Sequence, residues 1–265
     1  MRTRFAGWSD DEVRVSLDKL GRTRDRVLDA AGIQPGETVA DVGAGTGLLT
    51  LGAVERVGPD GEVLAIDLSA DALNELRANT QAANVSYLIA VAEALPLPDQ
   101  SIDAVVTRSV LIYVKDKAAA ASEFFRVLRS GGRVSLFEPI NIRNLRLADA
   151  VDFSPLGELG ARLREWNDAF YANPDDPMLD FDEVDLERFF AQVGFANVDV
   201  DVVTDEQEVV GERYLNQVGA PGRPTLLERW QEDFAPGDIE RLAGFLRGRT
   251  FRVRHVCAYL TSGKP

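Results

Sequence analysis

The stretch Asp41-Val42-Gly43-Ala44-Gly45-Thr46-Gly47 constrains this chain most, because it joins a short β-prone run, Thr38 to Val42, to a helical pattern that starts at Leu48. A strand that runs straight into glycines and then into a helix exposes bare backbone beside a helix N-terminus, where a ligand can settle. Without a ligand the same residues make a tight strand-to-helix turn. The spacing discriminates between ligands. A dinucleotide loop follows G-x-G-x-x-G, whereas the third glycine here is Gly47, two residues after Gly45, and position 48 is Leu. A pyrophosphate site is therefore disfavoured. Asp67, about 20 residues further on, ends the next apolar run, where an acid can accept hydrogen bonds from both ribose hydroxyls of an adenosine.

Around the loop, strands and helices alternate. Apolar residues at Val13, Leu17, Leu20, Val27 and Leu28 predict a leading helix over 11–31, closed by Gly32 and Pro35. The run 62–67 predicts a second strand, after a helix over 48–56 and a Gly58-Pro59-Asp60-Gly61 turn. Ser69 reads as an N-cap ahead of Ala72, Leu73 and Leu76. Strands follow at 85–91, 104–107 and 133–138, with a helix over 117–128, and Gly131-Gly132 reads as the turn between that helix and the fifth strand. Such alternation predicts a parallel sheet covered on both faces. Past Pro139 the rhythm breaks: an irregular stretch over 140–179, a helix over 182–193, a strand over 198–204, a mostly helical segment over 206–249 and a last strand over 250–260.

With 265 residues the chain fits one α/β domain carrying insertions. Its net charge of -14 opposes a phosphate backbone, so nucleic acid is not the expected partner. No stretch approaches the roughly 18 apolar residues of a membrane span, which leaves a cytoplasmic enzyme as the expectation. The one cysteine, Cys257, excludes an internal disulfide and a thiolate cluster for zinc or arsenic, and the one histidine, His255, gives poor support to a nitrogen-rich metal site or a Ser-His-Asp triad. No metal is expected, and no clustered acids at strand ends point to magnesium.

Four segments in order, VADVGAGTG (39–47), VLAIDLS (63–69), AVAEALPLPDQSIDAVVTRSVLIYV (90–114) and FRVLRSGGRVSLFEP (125–139), resemble class I S-adenosylmethionine-dependent methyltransferases. The similarity is to the small-molecule group that includes the ubiquinone and menaquinone C-methyltransferases, and it covers Gly36 to Pro139. It implies a Rossmann-like α/β fold with a seven-stranded, mostly parallel sheet, helices on both faces and a mainly helical cap from the late insertions. It further implies S-adenosylmethionine as cofactor and S-adenosylhomocysteine as product. By the same resemblance Asp41 anchors the loop near the methionine ammonium, Gly43, Ala44 and Gly45 offer backbone, and Asp67 holds the ribose. Leu68 packs on adenine, Ala92 and Glu93 line the adenine end, and Arg108 meets the methionine portion through its backbone. One departure stands out: many relatives have Asp before the Ala-Glu pair, where this chain has Val91.

The remaining candidates have structural readings beside functional ones. Asp103 reads as a turn cap. His255 and Cys257 read as packing in the last strand, with His255 a base only if it faces the transferred methyl group. Arg247, Arg249, Arg252 and Arg254 read as a solvated face rather than an anion strip. Glu138 ends the fifth strand at the ligand-binding edge and either touches substrate or holds a loop. Trp8 either covers the cofactor or packs on the leading helix. Phe153, Trp166, Phe170, Tyr171, Tyr214, Trp230 and Phe234, in the segments 140–179 and 206–249, either cap a hydrophobic acceptor pocket as a mobile lid or pack together as a subdomain core or homodimer contact.

The expected function is methyl transfer to a small molecule of quinone or secondary-metabolite type, by alignment and in-line displacement. A phenol, enol or amine acceptor would lose its proton to Glu138, His255, a tyrosine or solvent. The competing readings are a peptide or RNA methyltransferase, a non-catalytic binding module of the same fold, and a nicotinamide oxidoreductase.

Overall fold

The computed structural model describes residues 10–173, 175–217 and 223–265. In chain order its elements are α1 (Asp10–Ala30), β1 (Thr38–Val42), α2 (Leu48–Val57), β2 (Glu62–Asp67), α3 (Ala70–Asn79), β3 (Val85–Ile89), β4 (Ile102–Arg108), α4 (Lys117–Val127), β5 (Leu128–Pro139), α5 (Leu147–Ala150), α6 (Glu158–Tyr171), α7 (Glu183–Gln192), β6 (Ala196–Val210), α8 (Gly211–Asn216), α9 (Leu226–Asp233), α10 (Pro236–Leu246) and β7 (Thr250–Gly263). They form two compact units: Met1–Ile140 with Phe181–Val203 and Cys257–Pro265, and Asn141–Asp180 with Thr204–Val256.

The first unit holds the body of a seven-stranded sheet of order β3-β2-β1-β4-β5-β7-β6. β1 pairs in parallel with β2 and β4, β2 with β3, and β4 with β5. β7 runs antiparallel to β5, with Leu136 opposite Leu260. At one end of the β6–β7 pair the Ser262 hydroxyl donates to the Ala196 carbonyl, and at the other Arg252 meets Glu206, so these two strands also run in opposite senses. The sheet is thus mostly parallel, as expected. Val39, Val63, Ala104, Val106 and Phe137 pack with Val27 and Leu28 of α1 and Leu49, Ala53 and Val57 of α2. The alternate residues Ala40, Leu64, Val105 and Leu136 are buried too, which is the mark of a sheet covered on both faces. Phe124 of α4 lies 6.4 Å from Phe190 of α7, and Phe190 lies 5.3 Å from Phe195.

Three expectations are corrected. The expected Gly131-Gly132 turn is a bulge inside β5: pairing jumps from Ile102 opposite Leu128 to Ala104 opposite Arg133, and Gly131 takes φ 78. β6 extends to Val210, past the expected end at 204, because its polar run over 205–208 continues alongside β7, where Arg252 meets Glu206, as a ribbon exposed for most of its length. The stretch 140–179, read as irregular, contains α6, whose Leu159, Gly160, Leu163 and Asn167 form a buried stripe at helical spacing.

In the second unit that stripe packs with Phe153, Trp230, Phe234, Leu242, Leu246, Phe251 and Val253, while Trp166 and Tyr214 flank the cluster. Trp166 also donates through Nε1 to Asp233 at 2.7 Å. The large aromatics of the late segments therefore pack extensively on one another.

Candidate cofactor site at the carboxyl edge of the sheet

The strand order puts the ends of β3, β2, β1, β4 and β5 side by side, and Asp41, the glycine loop, Asp67, Leu68, Ala92, Glu93, Arg108 and Glu138 lie at or just past these ends, whereas Asp103 lies at the start of β4. Asp41, near the end of β1, is buried, and Thr50 of α2 donates its hydroxyl to Oδ2 at 2.5 Å. Burial pushes its carboxyl up to about 7, against the pull of the hydrogen bonds from Thr50.

Gly43, Gly45 and Gly47 take φ 73, 53 and 98, the left-handed region that favours glycine. A Cβ on Gly43 would lie 2.2 Å from Cγ2 of Val110, and one on Gly47 would lie 2.2 Å from Cδ1 of Leu76. A Cβ on Gly45 would meet nothing within 4 Å, so the loop opens at this residue. The expectation of bare N–H groups is corrected for the start of the loop. Gly43 and Ala44 donate to the Ile66 carbonyl at 2.7 and 3.0 Å, Gly45 donates to Oδ2 of Asp67 at 2.8 Å, and Gly47 donates to Ala44 at 2.9 Å. What the loop offers a ligand is close approach to backbone already locked in shape.

Asp67 accepts a second backbone bond, from Ser69, at 2.8 Å through Oδ1. Ser69 caps α3 by accepting from Ala72 at 3.2 Å. Beside this acid, Leu68 is 70% exposed, Ile89 63% and Val91 39%, three apolar side chains bare at adjoining strand ends. Ala92 is buried and Glu93 half-buried, in the turn closed by the Val91–Ala94 bridge. Arg108 ends β4, with its guanidinium 5.8 Å from the Phe137 ring.

Glu138 is fully buried and holds a loop: Oε1 accepts from Val110 at 2.8 Å and Leu111 at 2.9 Å, and Oε2 accepts from Ile112 at 3.1 Å. Burial pushes its carboxyl up to about 7 despite these three bonds and the nearby Arg108. Both oxygens being so engaged, the geometry gives it a scaffolding role. Asp103 likewise accepts from the Thr38 N–H at 2.8 Å and pairs with Arg129 at 2.5 Å, joining the starts of β1 and β4 to β5. His255 is half-buried on β7 in the second unit, and Cys257 and Tyr259 pack against the cluster under α1 and α2. Of the exposed arginines, Arg247 pairs with Glu212 at 2.8 Å and Arg252 with Glu206 at 3.3 Å, while Arg249 donates to the Phe245 carbonyl. Trp8 lies outside the described residues. Among the described residues no three acids, histidines or cysteines cluster as metal ligands, and no helix is long and apolar enough to cross a membrane.

Sequence reasoning missed Thr50, Val110 and Ser109. Thr50 was legible only as a polar residue in an apolar helical run. Ser109, at φ 56, turns the chain after β4 and donates to the Phe137 carbonyl at 2.7 Å, which places Val110 against Gly43.

An open cradle at Gly45, a preset acid at Asp67 and bare apolar side chains beside it suit an adenosine with a charged tail. Solved structures share the fold. A methyltransferase structure from Bacillus halodurans, 18% identical, superposes with a TM-score of 0.59 over 91% of this chain and 98% of that one. The model of the methyltransferase domain family matches residues 40–136. The ubiquinone/menaquinone biosynthesis C-methyltransferase UbiE of Vibrio campbellii is 34% identical over 177 residues, covering 64% of this chain and 68% of that protein. Its counterpart in Hahella chejuensis is 33% identical over 174 residues, covering 63% and 70%. The chain is an S-adenosylmethionine-dependent methyltransferase. It belongs to the family of the ubiquinone/menaquinone C-methyltransferases.

Proposed function

We propose that this enzyme methylates a small-molecule acceptor of the quinol type, at carbon, with the cofactor held by Asp41, Gly43, Ala44, Gly45, Asp67, Leu68, Ala92, Glu93 and Arg108. The observation that carries the reading is the Asp67 carboxylate, fixed by Gly45 and Ser69 at the mouth of an opening in the glycine loop. The names of the curated relatives support the acceptor class, and the net charge of -14 supports a small molecule over nucleic acid.

S-adenosylmethionine, when bound, supplies a methyl group that its sulfonium has already made electrophilic. The work left to the chain is to bind, align and exclude water. Asp41 neutralises the ammonium of the amino-acid tail, Asp67 accepts from the ribose hydroxyls, and Leu68 with Ile89 and Val91 covers the adenine faces. Val91, where many relatives carry Asp, adds apolar contact in place of an acceptor for the adenine amino group. Glu138 keeps the loop at Val110–Ile112 in place, which holds Val110 against Gly43. Acceptor choice falls to the second unit, which the chain enters directly from the carboxyl end of β5. With a single cysteine and an acidic surface, the cytoplasm is the setting this reading assigns.

The test is to incubate the protein with methyl-labelled S-adenosylmethionine and a panel of quinols and phenols with a free ring carbon. Label on ring carbon of a quinol supports the proposal. Label on a peptide or protein alone, with none on any small molecule, would defeat it.

A further inference from the structure

Within the second unit the guanidinium of Arg229 is set among aromatic rings. Arg146, Arg164 and Arg223 pair with Asp168, Asp149 and Asp176 at 3.2, 3.1 and 2.8 Å. Arg229, on α9, makes no ion pair among the described residues, and its Nε is buried with no hydrogen-bond acceptor. Asp176, a carboxylate electrostatically coupled to Arg229, is thus committed to Arg223. Its Cζ sits 4.4 Å above the Phe170 ring, and Phe170 meets Tyr171 edge-on at 5.3 Å and stacks with Trp166 at 6.3 Å. Arg229 is electrostatically coupled to Tyr171, Tyr214, Arg223 and Asp176, and Tyr171 also to Arg146, whose Cζ lies 4.9 Å above the Tyr171 ring. Among the described residues neither tyrosine hydroxyl has a hydrogen-bond partner, and neither is fully buried. Burial lowers the affinity of Arg229 for its proton and raises the Tyr214 hydroxyl to about 12, so neutral tyrosines face a cation in an apolar setting.

Native proteins rarely bury a guanidinium N–H without an acceptor, and a planar donor fork between aromatic rings matches a carboxylate or phosphate attached to a ring. We infer that the second unit carries a binding site for a small aromatic anion, with Arg229 holding the carboxylate or phosphate, the Tyr171 and Tyr214 hydroxyls donating to it, and Phe170 with Tyr171 flanking the ring. The open depression on the neighbouring side of α9, lined by Arg223, Pro224, Glu228, Gln231 and Glu232, is a poorer place for an anion because two carboxylates face it. That the occupant is the methyl acceptor rests on the proposed function; that an anion binds at Arg229 does not.

The experiment is calorimetry on the full chain with benzoate, phenyl phosphate and benzamide, the neutral isostere of benzoate. Benzoate or phenyl phosphate should bind the wild type at least tenfold more tightly than benzamide, and the tighter of the two identifies the anionic group. Arg229→Gln should bring that anion down to the benzamide level, Arg229→Lys should recover part of the loss, and Tyr214→Phe should weaken binding severalfold. S-adenosylhomocysteine titrated into the same variants should bind as in the wild type, which shows the first unit intact. Its failure to bind even the wild type would overturn the methyl-transfer reading and leave the anion site standing. Equal binding of benzoate, phenyl phosphate and benzamide, no binding of either anion at millimolar concentration, or anion affinity unmoved in both Arg229→Gln and Tyr214→Phe would overturn the inference.

Discussion

The carboxylate of Asp67 receives the backbone N–H of Gly45 at 2.8 Å, a bond that joins the end of β2 to the glycine loop after β1. The acid and the loop are therefore set relative to each other by the fold itself. A ligand that needs both pays little to organise them.

Gly43 and Gly45 should separate folding from binding. Gly43→Ala puts a Cβ 2.2 Å from Val110 at φ 73. Left-handed backbone costs about 1–2 kcal/mol for such a residue and overpacking about 1–3 more, so urea unfolding should show a loss of about 2–4 kcal/mol. Gly45→Ala, with φ 53 and open space around its Cβ, should cost about 1–2 kcal/mol of stability and yet weaken S-adenosylhomocysteine binding more than tenfold. Equal stability losses in the two variants would contradict this account.

The Asp41 carboxyl, pushed up to about 7 by burial, should make cofactor binding pH-dependent. Pairing with an ammonium needs the ionised acid, so S-adenosylhomocysteine affinity should climb between pH 5.5 and 7.5 and level off as the acid becomes fully ionised. Asp41→Asn should bind weakly with a flat profile over that range. A wild-type profile that is flat as well would remove Asp41 from the role proposed for it.

Glu138 should leave a mark on stability. An acid whose folded-state pKa lies above its unfolded value stabilises the fold fully below the unfolded value and loses that contribution as pH rises through the folded one, here about 7. Glu138→Gln mimics the protonated side chain. The wild type should therefore lose stability relative to this variant between about pH 4.5 and 7.5. A stability difference that stays constant across the range, measured by urea unfolding, would show that Glu138 does not titrate as described.

How far the sequence foretold the molecule differs between its parts. Strand alternation up to Glu138, the loop at Gly43–Gly47 and the acids at 41 and 67 were legible because periodicity and glycine spacing are local. The bulge at Gly131 was not, since it depends on how many residues of β5 oppose Asp103 across the sheet. The uses of Glu138 and of the Gly43 and Ala44 N–H groups were equally hidden, because their partners, at 110–112 and at Ile66, lie 22 or more residues away in sequence. α6 went unread because its buried stripe uses Gly160 and Asn167 beside two leucines, so that the apolar period is incomplete.

Trp230, fully buried in the second unit's core, tests whether that unit is held by its aromatic cluster. Trp230→Ala should cost about 3–5 kcal/mol in thermal or urea unfolding. Trp230→Phe should cost less than the lost volume implies, because it removes an indole N–H buried without an acceptor among the described residues. A loss for Trp230→Phe as large as that for Trp230→Ala would contradict this account.

The most direct test of the central claim, that Asp67 holds the cofactor's ribose in the Gly45 cradle, is a calorimetric cycle with two ligands and two proteins. The ligands are S-adenosylhomocysteine and its analogue lacking both ribose hydroxyls. The wild type should prefer the natural product by at least tenfold, since each hydrogen bond to a charged acceptor is worth about 1.5–3 kcal/mol. In Asp67→Ala both ligands should bind with the same, weakened affinity. A preference in the variant as large as in the wild type, or no preference in the wild type, would contradict the account.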